Sequence, residues 1–312
     1  MLNLPAGGTI LVPGYRTAYQ ETKAPEHAVK EDLPVTTHIL RIDCPDAPGL
    51  VYKITGSLFR AGFNILSNHE FVETATEHFF MRTAFTGEAP PEGVAEDLQA
   101  ILHPAAIIRL ARSEPQRIVV FATKEPHCLG DLLLRHAYGE LPASIQAVIS
   151  NYDSLAPLVR QFGIPFHHVS HLGLDRTAHE QGIHAVLDQY APAYLVLAKY
   201  MRILTPGFVA RYADRIINIH HSFLPAFMGA QPYQQAYDRG VKIIGATAHI
   251  VTDELDTGPI VAQSILPVDH SYTAADMAQA GRDAEKIVLA KAVKLMLEER
   301  VFLYLNRTII FE

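Results

Sequence analysis

A short segment of this 312-residue sequence brings several reactive side chains together. Asn218, His220, His221 and Ser222 supply an amide, two imidazoles and a hydroxyl directly after an apolar run. Asp256 follows 36 residues after His220, where a second apolar run ends. An amide and an imidazole can hold a developing oxyanion, and a carboxylate can help to activate a nucleophile. Asn218, His220 and Asp256 therefore predict hydrolytic or acyl-transfer chemistry.

The elements around these residues indicate how they could meet. From residue 116 onward, strongly apolar strands alternate with helical segments. This order is typical of an open, mostly parallel twisted sheet with helices on both faces, whose sites lie at the carboxyl ends of strands. Asn218 and His220 would share one face of a strand end, because side chains alternate along a strand, and His221 would point to the other face. Asp256 would join them from the end of a later strand.

The first third of the chain has a different pattern. Residues 1–35 are rich in Pro, Gly and charge, and we interpret them as an N-terminal extension. Residues 36–112 alternate strands and helices in the order β-α-β-β-α-β, which predicts a ferredoxin-like domain. After a short linker, residues 116–312 form the second predicted domain, ending in a long amphipathic helix and a terminal strand or arm.

Composition and charge narrow the class of protein. Hydrophobic residues make up 49% and charged residues 19% of the chain, and the net charge of −7 comes from interspersed charges. This balance is typical of globular proteins and favours neither a nucleic-acid nor a membrane partner. No apolar run reaches the ~20 residues of a membrane span, and the N-terminus lacks a signal-peptide pattern. With only Cys44 and Cys128, far apart, we expect a reduced, cytoplasmic protein.

A group of histidines could suggest a metal site. His167, His168 and His171 lie close in sequence, but no carboxylate or cysteine accompanies them at a ligand spacing. The pattern favours His168 as an inward-facing polar residue of a pocket. We therefore expect no metal and no other cofactor.

The spacing of the reactive residues resembles that of a known family. Asn218-x-His220, followed by Asp256 within VTDELDTGP, is similar to the site of the formyltransferases that use 10-formyltetrahydrofolate. The segment LAKYMRIL at residues 197–204 is similar to the segment whose backbone lines the pterin pocket in that fold. The resemblance covers about residues 115–300. It implies a folate pocket lined by Met201, Arg202, Ile203, Leu204, Val251, Thr252, Asp253 and His221.

The N-terminal domain resembles an ACT domain. The similar segments are Cys44-Pro45-Asp46-x-x-Gly49, Asn64-Ile65 and Phe79-Phe80-Met81-Arg82. An ACT domain before a formyltransferase-like domain is the layout of the formyltetrahydrofolate deformylases, and the doubled histidine of HHSFLPAF is similar to that family too. The resemblance implies a hydrolase of a linear C–N amide bond that converts 10-formyltetrahydrofolate to formate and tetrahydrofolate, supplies formate for purine synthesis and balances one-carbon pools.

The resemblance also implies roles for individual residues. Asp256 would position and deprotonate water or relay its proton, His220 would stabilise the oxyanion, and Asn218 would donate a second hydrogen bond. The ACT domain implies a homo-oligomer, a dimer or a tetramer, with glycine or methionine as an effector. The implied effector-binding residues are Asp46, Gly49, Asn64 and Ile65.

Two other activities are weighed against hydrolysis. A formyltransferase would pass the formyl group to an amine acceptor, and a silent amino-acid sensor would use the scaffold without catalysis. Residues 123–130 stand where the related glycinamide ribonucleotide transformylases have a Gly- and Ser-rich loop that holds the phosphate of their acceptor. Here they contain a single Gly, Pro126 and the acidic Glu125. That composition favours water as the acceptor, and the intact trio of Asn218, His220 and Asp256 argues against a silent sensor. The role of His221 stays open between shaping the loop and catalysis.

Overall fold

The computed structural model of this chain describes residues 36–87, 91–226 and 232–312. The N-terminal extension predicted for residues 1–35 lies outside the described residues. Residues 36–312 form one unit that contains two large sheets and a C-terminal hairpin. The boundaries drawn between the two domains, at residues 112 and 116, stay a prediction.

The first sheet has four antiparallel strands in the order β2-β3-β1-β4, as the β-α-β-β-α-β pattern predicted. Its elements are β1 (Thr37–Pro45), α1 (Leu50–Arg60), β2 (Asn64–Glu73), β3 (His78–Thr86), α2 (Glu92–Ile101) and β4 (Ile107–Arg112). Leu40 and Ile42 alternate along β1 and therefore point to the same face. They pack with Ile54 and Leu58 of α1 and with Leu98 of α2 in one core, so both helices cover that face.

The second sheet has seven strands in the order β11-β10-β9-β8-β5-β6-β7. Its elements are β5 (Gln116–Ala122), α3 (His127–Ala137), β6 (Ala143–Ser150), α4 (Ala156–Arg160), β7 (Phe166–His168), α5 (Arg176–Tyr190), β8 (Tyr194–Ala198), α6 (Pro206–Arg211), β9 (Ile216–His220), α7 (Pro232–Arg239), β10 (Ile243–Ile250), β11 (Ile260–Pro267) and α8 (Ala274–Leu297). The pairs are parallel except where β10 meets β9 and β11.

Both faces of the second sheet are covered, as the apolar strands predicted. Ile118 and Val120 of β5 contribute to one core, and Val119 and Phe121 to another. Because neighbouring residues of a strand point to opposite faces, the two cores lie on the two sides of the sheet. Among the described helices, none is long and apolar enough to cross a bilayer.

The C-terminus differs from the predicted single strand or arm, because it folds as a hairpin. Strands β12 (Val301–Tyr304) and β13 (Arg307–Ile310) are antiparallel, with Leu305 and Asn306 between them. Two-residue hairpin turns favour Gly, Asn or Asp where φ is positive, but here Leu305 takes that conformation, with φ 54°. The usual sequence signal of the turn is therefore missing.

The hairpin packs against the face of the first sheet that the helices leave open. Phe80 of β3 contacts Phe302 of β12 edge-on at 5.6 Å between ring centroids, and both rings are fully buried. The guanidinium of Arg41 lies 4.2 Å from the centroid of the Phe302 ring. His78 stacks on Tyr304 at 4.7 Å. The hairpin is thus fixed to the first sheet through an aromatic core.

Candidate active site

The predicted catalytic residues of β9 lie beside an antiparallel neighbour. Strand β9 pairs with β10 so that Asn218 stands opposite His249, and His220 opposite Thr247. Alternation along both strands turns these four side chains to the same face. The buried residues Ile216 and Ile217 anchor the start of β9, so the polar groups emerge only at its carboxyl end.

Asp256 reaches this strand end from the loop between β10 and β11. Its Oδ2 lies 3.3 Å from His220 Nδ1, and its Oδ1 lies 3.6 Å from His249 Nε2. Hydrogen bonding from His220, and to a smaller extent from His249, holds the pKa of the Asp256 carboxyl well below its usual range. The carboxylate is therefore ionised at neutral pH, and two imidazoles face it. His220 Nε2 is buried and has no hydrogen-bond partner within the described ranges.

His249 is a site residue that the sequence analysis missed. Its side chain is 2% exposed, and its Nδ1 donates to the carbonyl of Ile250 at 3.0 Å. Its Nε2 lies 3.1 Å from Asn218 Nδ2, so the ring contacts both the predicted amide and the predicted carboxylate. A histidine within the mostly apolar strand IIGATAHIV was the available signal. The alternation of side chains along β9 does not predict which residue of the neighbouring strand β10 lies opposite Asn218, so His249 could not be placed in the site.

The predicted orientation of His221 is wrong. Its ring stacks on that of His220, with centroids 5.1 Å apart and planes 13° apart, and both residues line one cavity. Strand β9 ends at His220, so the alternation rule does not extend to His221. Burial, together with the smaller effects of the charges of Lys199 and His220, lowers the pKa of His221 to about 4. His221 is therefore a neutral ring at neutral pH.

The turn after the two histidines is held by buried hydrogen bonds. Thr247 Oγ1 donates to the carbonyl of Ser222 at 2.9 Å and accepts from the amide of Leu224 at 3.1 Å. Ser222 Oγ donates to the carbonyl of Ala226 at 2.7 Å. Since Thr247 is fully buried and paired with His220, the sheet itself fixes the position of the turn. Ser222 has a structural role here.

A cavity of about 330 Å³ opens over these residues. It is lined by all eleven predicted catalytic and substrate-binding residues, namely Met201, Arg202, Ile203, Leu204, Asn218, His220, His221, Val251, Thr252, Asp253 and Asp256. Lys199, Tyr200, His249 and Leu255 are among the further lining residues. Met201 and Ile203 are 60% and 50% exposed, which leaves apolar side chains at the cavity for a flat ring.

The segment that bears Met201 is fixed at both ends. Thr123 Oγ1 accepts a hydrogen bond from the Met201 amide at 2.9 Å. At the other end, the buried carboxylate of Glu180 accepts from the amide and from the hydroxyl of Thr205. The irregular segment between β8 and α6 is thus tied at one end to the residue that follows β5 and at the other end to α5, which holds the cavity wall in place.

A buried ionic cluster lies next to the cavity. The carboxylate of Glu285, fully buried on α8, contacts Lys199 Nζ at 3.2 Å and accepts from Tyr233 Oη at 2.9 Å. His127 Nε2 lies 2.7 Å from the same carboxylate. Burial alone raises the pKa of Glu285, but bonding to His127 and the charge of Lys199 outweigh it and leave the pKa below its usual value.

Part of this cluster has the residue types of a metal site. Ligand atoms of His127, Cys128 and Glu285 lie within 4.8 Å of one another. However, the ammonium of Lys199 already neutralises the carboxylate, and burial raises the pKa of the Cys128 thiol far above neutral pH. A protonated thiol and a competing cation fit an ion pair better than a metal.

The histidines of residues 167–171 do not line the cavity. His168 is exposed, contrary to the expectation that it faces a pocket, and His167 bonds to Tyr190 Oη at 2.7 Å. The strand β7 at the edge of the sheet is only three residues long, so His168 at its end escapes burial.

The predicted effector residues also divide into two pairs. Asp46 and Gly49 follow the end of β1 that pairs with His78, whereas Asn64 and Ile65 begin β2 beside Thr86, at the opposite end of β3. The pairs are separated by roughly eight residues of strand, about 26 Å. One chain alone does not bring them into contact.

Comparison with known proteins gives two family matches. The formyl transferase family matches residues 116–293, and the ACT domain family matches residues 38–103. A formyltetrahydrofolate deformylase of Haemophilus influenzae is 53% identical over 272 residues, which cover 87% of this chain and 98% of that protein. The chain belongs to the formyltetrahydrofolate deformylase family.

Solved structures agree with this membership. A formyltetrahydrofolate deformylase from Pseudomonas syringae matches with a TM-score of 0.86 and 37% identity, over 90% of this chain and 96% of that one. Glycinamide ribonucleotide transformylase 1 from Symbiobacterium toebii matches with a TM-score of 0.61 and 30% identity, over only 64% of this chain. Both domains of this deformylase-family chain thus have counterparts in the first structure, and the predicted fold class is confirmed.

Proposed function

We propose that this chain is a hydrolase that converts 10-formyltetrahydrofolate and water to formate and tetrahydrofolate. The observation that carries the proposal is the convergence of Asn218, His220, His249 and Asp256 at one wall of the cavity. The names of the deformylase relatives support the same activity. Such a reaction would supply formate for purine synthesis and balance one-carbon pools.

Each polar residue has a role in the proposed reaction. Water attacks the formyl carbon, and the resulting oxyanion accepts hydrogen bonds from Asn218 and from His220 Nε2, which has no other partner among the described residues. The Asp256 carboxylate faces His220 Nδ1 and orients the water. A carboxylate of low pKa is a weak base, so the proton leaves the water only as the new C–O bond forms. The proton passes to N10 of the folate as the C–N bond breaks.

Water is the proposed acceptor of the formyl group, because the carboxylate of Glu125 would repel the phosphate of an anionic amine substrate. Glu125 lies at the surface beside His127, in the segment where a transformylase would hold the phosphate of its acceptor. His127 is itself tied to the buried Glu285, which would keep its ring from turning toward a ligand. A formyltransferase activity toward a phosphorylated amine is therefore the less favoured function.

The pterin would bind between the segments 201–204 and 251–256. Backbone groups of these segments would pair with the polar edge of the ring, and Met201, Ile203 and Leu255 would cover its faces. His221, neutral and stacked on His220, would form the floor between ring and formyl group. The proposed chemistry uses water and these side chains and requires no metal or other cofactor.

We extend the proposal to regulation and location. Because Asp46 and Gly49 lie far from Asn64 and Ile65 in one chain, an effector such as glycine or methionine would bind between two copies. A dimer or a tetramer would satisfy this requirement. Cys44 and Cys128 are both free and buried, which suits a reduced cytoplasm.

The test is formate release in the absence of any acceptor. Purified protein is incubated with 10-formyltetrahydrofolate, and formate and tetrahydrofolate are measured together. We expect equal amounts of the two products, and loss of both with His220→Ala. Release of tetrahydrofolate only after an amine is added would instead identify a transferase. Repeating the assay with glycine and with methionine tests the effector.

A further inference from the structure

The loop that carries Asp256 holds this residue in a left-handed backbone conformation. Asp256 has φ 57°, in the left-handed region that side-chain-bearing residues enter at a cost. Two residues later, a Cβ on Gly258 would lie 1.9 Å from the carbonyl oxygen of Ile250, so the chain passes close against β10 there. Surrounding contacts must therefore hold the carboxylate at its place.

Some of these contacts lie within the loop. Thr252 Oγ1 and Thr257 Oγ1 both donate to the carbonyl of Glu254, at 3.1 and 3.2 Å. They make the loop a closed turn, but they do not connect it to the rest of the molecule. The base of the loop is tied to β9, because the Val251 amide donates to the carbonyl of Ile216 at 2.9 Å. The backbone that follows Asp256 has a further attachment.

The C-terminal hairpin supplies that attachment. Asn306 Nδ2, in the turn of the hairpin, donates to the carbonyl of Thr257 at 3.1 Å, directly after Asp256. Thr308 Oγ1 donates to the carbonyl of Ile260 at 2.7 Å, at the start of β11. The same hairpin is fixed to the first sheet by Phe302, Tyr304 and Arg41. One short element thus contacts both the first sheet and the backbone next to the carboxylate.

We propose that Asn306 is a positioning residue for Asp256. Through the Thr257 carbonyl, its amide fixes the backbone from which Asp256 faces His220 and His249. The packing of the hairpin against the first sheet in turn fixes Asn306. The role assigned to Asp256 rests on the proposed function, whereas the attachment of the loop does not.

Two substitutions distinguish the effect of losing the amide donor from the effect of changing the shape of the turn. Asn306→Asp keeps the size and the turn preference of the side chain but replaces the donor by an oxygen that repels the carbonyl. Asn306→Ala removes the donor without repulsion. The matched control is Leu305→Asn, at the neighbouring exposed position, where a left-handed backbone suits Asn.

The first readout is catalysis. Loss of one hydrogen bond predicts a fall in kcat of about three- to tenfold for both Asn306 variants, with KM within about twofold of the parent. The acid limb of the kcat profile should move to higher pH, because a displaced Asp256 loses bonding from its two histidines. Leu305→Asn should match the parent. Parental kcat and pH profile in both Asn306 variants would overturn the proposal, and so would a change in KM alone.

The second readout does not depend on activity. Amide hydrogen exchange at residues 252–258 should be about three- to tenfold faster in Asn306→Asp than in the parent, and unchanged in Leu305→Asn. If the parent itself releases no formate, the proposed function fails, but the exchange rates still decide whether Asn306 holds the loop. Equal exchange in all three proteins would reject that role.

Discussion

His249 on β10 stands directly opposite Asn218 on β9, with its Nε2 3.1 Å from the Asn218 amide and 3.6 Å from the Asp256 carboxylate. The contact joins two functional groups that lie 38 residues apart in the chain. A single buried ring therefore lies against both the amide that would bind the oxyanion and the carboxylate that would orient water. The site depends on cross-strand pairing as much as on its two sequence motifs.

Replacing His249 should change the pH dependence of the enzyme. Its hydrogen bonding helps to hold the pKa of Asp256 low, so His249→Ala should let that pKa rise toward its usual range. The carboxylate would then become protonated at a higher pH, and activity would be lost earlier on acidification. We expect the acid limb of kcat/KM to move to higher pH and kcat to fall about tenfold or more at pH 7.5. His249→Gln, which retains a side-chain donor, should shift the limb less.

An acid limb identical in parent and His249→Ala would mean that the ring does not act on Asp256. A carbon NMR titration of the Asp256 carboxyl in both proteins measures the same shift directly.

Asn218 and Asp256 should differ in how much activity their loss removes. Asn218→Ala removes one of two oxyanion donors, which predicts a fall in kcat of about 10²- to 10³-fold. Asp256→Asn keeps the shape but removes the charge that faces both histidines, and we expect a fall of about 10³-fold or more. Single-turnover measurements of formate release compare the two at saturating substrate. A variant of either residue with parental turnover would place the chemistry elsewhere in the cavity.

The buried pair of Lys199 and Glu285 should govern stability more than any surface pair. Lys199→Met leaves the fully buried carboxylate without its cation, which predicts a loss of about 3–5 kcal/mol in the free energy of unfolding. The double variant Lys199→Met with Glu285→Gln should recover part of this loss. Urea denaturation measures both, with Lys291→Gln as the control, because Lys291 forms an exposed pair with Glu312 and should cost under about 1 kcal/mol.

The pH dependence of this effect has a defined sign. Because the pKa of Glu285 is depressed in the folded protein, its stabilisation is present above the unfolded value of about 4.3 and is lost as pH falls through the folded value. The difference in stability between the parent and Glu285→Gln should therefore shrink below about pH 4. A difference that stays constant to pH 3 would contradict an ionised Glu285.

Several features of the fold and the site could be predicted from the sequence because their signals are local. Alternating residues in the first domain and apolar runs in the second predicted the strands, and polar groups at strand ends marked the cavity that Asn218 and Asp256 share. His249 escaped prediction because its partner lies across a strand pair, which no local period encodes. The stacking of His221 was missed because β9 ends one residue earlier. Glu285 on α8 reads as one charge of an amphipathic helix until Lys199 and His127 are placed around it.

The contact between the hairpin and the first sheet should depend on the guanidinium of Arg41. Its two terminal nitrogens donate to Glu299 Oε2 and to the carbonyl of Val301, both at 2.6 Å, while its plane covers Phe302. A lysine keeps the charge but not this fork, so Arg41→Lys should lower the free energy of unfolding by about 1–2 kcal/mol. Calorimetry measures the change, and Arg307→Ala is the control.

Arg307 pairs with Glu73 at 3.5 Å and is mostly exposed, so its loss should change stability by less than about 0.5 kcal/mol. If Arg41→Lys changes the free energy of unfolding as little as Arg307→Ala does, a lysine charge is enough at position 41 and the fork is not needed. If the fork of Arg41 holds the hairpin, Arg41→Lys should also speed hydrogen exchange at residues 252–258, because the turn that bears Asn306 is anchored by the same packing. A loss of stability with unchanged exchange in that loop would confine the role of Arg41 to the first sheet.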